Sequence, residues 1–176
     1  MQPLIRPSDI AALLFVSAHS GEPYSQMAAV LGVSKSTAHK ALSRLLKLGL
    51  VVMGSNGEME VEAEQAIELL RVIRYVFPSD QVEKARGVMT GLAALTDASS
   101  LEYDAAPMVW PSLLGHVIGV GVTPLIRNAP DIAFRDPAMY RLLALVDALR
   151  LGDARERNLA TTALQEAFAA NTKHSE

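Results

Sequence analysis

The chain has 176 residues, half of them hydrophobic and a fifth charged, with a net charge of −3 and no cysteine. That size and composition suit a folded globular protein, either one domain or a small domain with an appended unit, and exclude a disulfide scaffold, a thiolate zinc site and a cysteine nucleophile. No stretch reaches the roughly 18 consecutive apolar residues of a membrane span, and Met1-Gln2-Pro3-Leu4-Ile5-Arg6 does not read as a secretory signal, so a cytoplasmic protein with no membrane partner is expected.

Pro7-Ser8-Asp9 opens a first helix through Ile10, Leu13, Leu14 and Phe15, with Ser8 as its predicted N-cap. His19-Ser20-Gly21-Glu22-Pro23 breaks it. Ser25 is the predicted cap of a short second helix, Gln26 to Leu31; Gly32 supplies a tight turn, and Ser34 caps a longer third helix ending near Leu48-Gly49. Leu50 to Met53 reads as a strand, Asn56-Gly57 as a hairpin turn, and Glu58 to Val61 as the returning strand. A fourth helix is predicted from about Glu64 to Phe77, with Ile67, Leu70, Ile73 and Phe77 on one stripe, stopping at Pro78. From Ser79 to Pro137 the periodicity weakens: Asp97 to Pro107 reads as loop and Gly115 to Val122 as a glycine-containing strand. Pro137 to Leu151 is a helix, Gly152 interrupts, Asp153 to Ala170 is another, and Asn171 to Glu176 reads as a frayed tail.

The informative stretch is Ser25 to Val51. Ala28 and Ala29 are small enough to let the second helix approach the third closely, Leu31 and Val33 plug the corner between them, and Ser34 satisfies free amides at the start of the third helix. Projected at about 100° per residue, Ala38, Ala41, Leu42, Leu45 and Leu48 share one arc. Ser36, His39, Lys40, Ser43 and Lys47 share the opposite arc, flanked by Lys35 and Arg44. A solvated helix face ordinarily mixes acids with bases, yet no acid occurs from Ser34 to Asn56. Charge is also uneven along the chain: up to Met53 five basic residues stand against Asp9 and Glu22, whereas from Gly54 onward 11 basic residues face 17 acidic ones. Cations presented together without acids are what phosphates require.

A helix that enters a DNA groove reads base edges near its N-terminus and holds phosphates farther along. Ser36, His39 and Lys40, with Lys35, are therefore candidate base contacts; Ser34 caps the helix that carries them, and Thr37, Ser43, Arg44 and Lys47 are candidate phosphate or sugar contacts. The predicted fold class is mainly α with a small β-wing and at most one further short strand: a winged helix-turn-helix plus a C-terminal helical region. The expected division is 1–62 for the DNA-binding domain, 63–78 for a linker or wing helix, and 79–176 for a regulatory or dimerisation region.

Val33-Ser34-Lys35-Ser36-Thr37-Ala38-His39-Lys40-Ala41-Leu42, followed by Leu45-Leu46-Lys47-Leu48-Gly49-Leu50-Val51, resembles the MarR-like bacterial winged-helix repressors. The resemblance spans about Ser8 to Val61 and implies a three-helix core, a two-stranded wing and double-stranded DNA as partner. It departs at the wing, where family members often carry Arg or Lys and this chain has Gly54-Ser55-Asn56-Gly57 followed by Glu58 and Glu60. Arg74 to Pro78, Val109-Trp110-Pro111, Asp136-Pro137 with Leu143 to Arg150, and Ala154 to Arg157 resemble pieces of uncharacterised bacterial helix-turn-helix proteins. That likeness implies a regulator with a fused C-terminal region and no known ligand.

The remaining motifs point to structure. Gly115 to Val122 lacks the following helix that a phosphate loop needs, because Thr123-Pro124 comes next. His19, His39, His116 and His174 show no metal-ligand spacing, and no activated serine or carboxylate pair is present. No metal, no cofactor and no enzymatic activity are expected. Asp147 with Arg150 reads as an intrahelical pair, Asp153 as a cap and Trp110 as a core anchor. The apolar stripes of Tyr140, Leu143, Leu145, Val146 and Leu149, and of Leu159, Leu164 and Phe168, call for a covering surface. A homodimer is expected to supply part of it and to bind half-sites about 34 Å apart. The predicted function is a sequence-specific regulator, a repressor by occupancy. The alternatives are a protein–protein adaptor or antitoxin on the same scaffold, and a sensor of an unknown small-molecule or protein effector with a pocket between the wing helix and the Trp110 region.

Overall fold

The structure, a computed structural model, describes residues 5–96 and 106–172, the last two by backbone alone. Helix α1 spans Pro7–Ala18, and Asp9 through Ser17 are all buried. Its N-cap is Arg6 rather than Ser8, and the Arg6 amide donates to Asp9 Oδ2 at 2.9 Å. Proline at the first helical position explains the shift: its missing N–H is one the helix start leaves free anyway.

Helix α2 spans Tyr24–Leu31, with Pro23 rather than Ser25 at its N-cap. Gly32 follows at φ 63°, a left-handed conformation that a side chain disfavours. The Val33 amide, in turn, reaches back to the Ala28 carbonyl at 3.0 Å. Helix α3 spans Lys35–Lys47 with Ser34 as its cap. Strands β1, Val51–Met53, and β2, Met59–Val61, pair antiparallel with Val51 opposite Val61. The turn between them closes through the Gly54 amide on the Glu58 carbonyl at 2.8 Å and the Glu58 amide on Asn56 Oδ1 at 2.9 Å.

The expected fourth helix divides. Helix α4 spans Ala63–Arg71 and a single turn, α5, spans Ile73–Val76, with Val72 at the break. Ile67, Leu70 and Ile73 are buried as the stripe predicts. The weakly patterned region holds more sheet than expected: β3, Gln81–Met89, β4, Met108–Pro111, and β5, Val117–Val122, close on one another. β3 runs antiparallel to both neighbours, while β4 and β5 are parallel. A 3-10 turn at Leu92–Leu95 and helix α6 at Ala129–Arg135 were not legible either. The expected loop from Asp97 to Pro107 lies, except for its last two residues, outside the described residues.

Helix α7, Pro137–Leu151, has the predicted bounds, with the Asp136 carboxylate accepting from the Met139 amide at 3.0 Å. Helix α8 spans Ala154–Thr172, and Asp153 and Glu156 each accept the other's backbone amide at 2.8 Å. The protein is thus mostly helical with two small sheets. The chain divides into two units, one of residues up to Leu69 together with those from Ala163, the other of Leu70–Thr162. Most of the expected tail lies outside the described residues, while Asn171 and Thr172 continue α8.

In the second unit the core centres on a buried polar cluster. Trp110 is 1% exposed and its indole N–H donates to Asp147 Oδ2 at 2.6 Å, beside the Thr90 hydroxyl at 2.9 Å. Arg150 pairs with Asp147 Oδ1 at 2.6 Å and also donates to the carbonyls of Phe77, Pro78 and Thr123. Trp110 and the Asp147–Arg150 pair are therefore structural, as their sequence context suggested.

Candidate nucleic-acid interface

Helix α3 is amphipathic along its 13 residues. Ala38, Ala41, Leu42 and Leu45 are buried on its inner face, which fixes the opposite face outward. Its first turn is prepared by Ser34, whose Oγ accepts the Thr37 amide at 3.1 Å and lies 2.9 Å from Thr37 Oγ1. Capping leaves the other amides of the first turn pointing out of the helix start.

Ser34, Lys35, Ser36, His39, Lys40, Ser43 and Lys47 are all exposed, and Thr37 is half-buried. The structure thus gathers eight of the nine candidate residues on the outward side and start of one helix. Besides Ser34 and Thr37, two have local partners: Ser43 Oγ donates to the His39 carbonyl at 2.9 Å, and the His39 ring meets Tyr24 edge to face at 6.0 Å. Lys35, Lys40 and Lys47 are three exposed ammonium groups with no acid on their helix.

Arg44 is the exception. Its guanidinium Nε donates to Asp9 Oδ2 at 2.8 Å, and a second nitrogen meets Oδ1, a two-point clamp on a carboxylate that is fully buried in α1. The hydrogen bond to Asp9 raises the Arg44 pKa further above its ordinary value, so the charge is permanent but already matched. Arg44 joins α3 to α1 and does not belong to the outward set. The signal that could have located this pair is Asp9 itself. It opens Asp9-Ile10-Ala11-Ala12-Leu13-Leu14-Phe15-Val16, and an acid at the start of so apolar a helix needs a cation to be buried.

The hairpin beside this helix is acidic. The exposed Glu58 carboxylate accepts from Ser20 Oγ at 3.3 Å and Asn56 Nδ2 at 3.1 Å, which holds it in place. With Glu60 on β2 it gives the hairpin the sign opposite to that of α3. Among the described residues no cluster of histidine and carboxylate side chains could hold a metal ion, and no helix is long and apolar enough to cross a membrane. Compared with known proteins, the chain matches no family model, no curated protein and no solved structure.

Proposed function

We propose that this chain is a sequence-specific DNA-binding transcriptional regulator of winged helix-turn-helix type, similar to the MarR-like repressors, in which α3 enters the major groove. One observation carries the reading: α3 presents Lys35, Lys40 and Lys47 with Ser36 and His39 on an acid-free outward face while its alanines and leucines are buried behind. In this reading the β1–β2 hairpin is the wing. Its Glu58 and Glu60 repel phosphate, so affinity comes from α3 and the wing stands away from the duplex. Repression follows from occupancy of a promoter. A helix of 13 residues covers only a short site, so a homodimer reading two half-sites about 34 Å apart is part of the proposal.

The test is fluorescence anisotropy on a duplex obtained by binding selection from a random pool, titrated at several salt concentrations. Replacing Lys35, Lys40 and Lys47 together by alanine is expected to weaken binding. The log–log salt slope should shrink by about 0.9 for each phosphate that the protein no longer neutralises, up to about 2.7 in all. Equal affinity with an equal slope overturns the assignment.

A second reading, a protein-binding adaptor, is favoured by one observation. Leu113 and Leu114 in the β4–β5 loop and Ile118 at the start of β5 are exposed, Leu113 at 92%, and exposed large apolar side chains in one short segment suit a partner surface. Absence of duplex retention at low salt would favour that reading.

A further inference from the structure

The end of α1, the start of α2, the middle of α3 and the hairpin enclose a half-open cavity of about 210 Å³. Its floor is apolar, formed by Phe15, Val16, Met27, Leu42 and Met59. Phe15, Met27 and Leu42 are core side chains, so the floor is held from behind. The rim is different. It is lined by the exposed Glu22 and Glu58 together with Tyr24 and His19, and no lysine or arginine lines the cavity.

Glu58 is placed rather than free to wander. Its Oε2 accepts from both Ser20 and Asn56, and its Oε1 lies over Gly21, where an added Cβ would stand only 2.7 Å away. A residue with a side chain at position 21 would push this carboxylate off the rim.

We propose that this cavity binds a small organic cation, one hydrocarbon ring carrying a short ammonium arm. Size sets the ring, since an apolar cavity of about 150 Å³ holds benzene and about 210 Å³ leaves room for two or three further heavy atoms. Charge sets the arm: two carboxylates at the mouth attract an ammonium and repel an anion of the same shape. The exposed Tyr24 ring in the lining adds an aromatic face that attracts a cation. The cavity reaches α3 from its inner side. Leu42 lies in its wall, and Tyr24, also lining it, touches His39 on the outward face. An occupant therefore bears on the helix that carries the three exposed lysines. That regulatory consequence rests on the DNA reading; the binding itself does not.

The experiment is isothermal titration calorimetry on the full chain, without DNA, using three probes of one shape. These are 2-phenylethylammonium, neutral 2-phenylethanol and anionic phenylacetate. Saturable binding of the ammonium is expected, about tenfold weaker binding of the alcohol, and none of phenylacetate. Glu58→Gln and Glu22→Gln change exposed side chains, and each is expected to reduce ammonium affinity severalfold while circular dichroism stays unchanged. No heat with 2-phenylethylammonium, equal binding of all three probes, or unchanged affinity in both variants overturns the proposal. Because no duplex is present, such a failure leaves the DNA reading standing, and loss of DNA binding leaves this one standing.

Discussion

Asp9 and Arg44 show how one residue pair divides stability from recognition. Asp9 is fully buried in α1, and its charge is balanced by Arg44 and by the Arg6 amide. Removing a partner from a fully buried ion pair costs about 3–5 kcal/mol. Arg44 keeps a quarter of its side chain exposed, so Arg44→Ala is expected to cost less, about 2–3 kcal/mol in urea unfolding. Lys40→Ala, on the exposed face, should stay within about 0.5 kcal/mol of the parent, while under the proposed function it is expected to weaken DNA binding. The buried cluster of the second unit makes a parallel case. Burial pushes the Asp147 carboxyl up from its usual range, against the pull of Arg150, Trp110 and Thr90. Arg150→Met leaves that carboxyl without its counter-charge and takes a donor from the carbonyls of Phe77 and Pro78, while Thr123 keeps Ser79, and is expected to cost about 3–5 kcal/mol at neutral pH. With Arg150 gone the folded-state pKa of Asp147 rises further above its unfolded value. The variant regains stability as pH falls through that raised range, so the deficit should narrow in mild acid. Thermal unfolding at the two pH values checks both the size and the sign.

Among the elements, those with a helical period were legible, and of the three-stranded sheet only β5, read as the glycine-containing strand at Gly115 to Val122, was. α3 carried its signature openly: a left-handed glycine, a serine cap and a two-sided helix. α7 was legible for another reason, because Leu142 through Arg150 are all buried and the segment is apolar almost without a break. β3 gave no such cue. Its residues Gln81 to Lys84 and Arg86 are all exposed, so no alternation of apolar and polar side chains marks it as a strand. What makes its sheet possible is glycine at the crossings. A Cβ on Gly115 would overlap the Gly87 backbone, and one on Gly87 would overlap the Trp110 carbonyl. Gly115→Ala is expected to disrupt the β3–β4–β5 sheet, read as loss of strand signal and of the Trp110 near-ultraviolet dichroism. A variant with an unchanged spectrum would show that the backbones can part at no cost.

For the molecule as a whole, the apolar stripes that suggested a dimer are largely covered within one chain. Leu143, Leu145, Val146, Leu149, Leu164 and Phe168 are buried, and Leu159 remains exposed. Removing α8 therefore takes away Ala160, Leu164 and Phe168, all at zero exposure. Deleting residues 154–176 is expected to abolish cooperative thermal unfolding rather than to release folded monomers. A sharp melting transition in the truncated chain would place α8 outside the core. The sequence by itself determined the helices whose pattern is local: the order α1 to α3, the hairpin after them, α7 and α8, and an acid-free helix face. Periodicity, caps and turn residues act over a few positions, and each can be read where it stands. Tertiary structure decided which charges are available. Arg44 and Lys40 look alike along the chain, yet only folding brings a buried carboxylate 35 positions away against one of them and leaves the other facing water. The closed three-stranded sheet and the acid-rimmed cavity belong to the same class, since each arises from segments far apart in sequence that meet only in the folded chain.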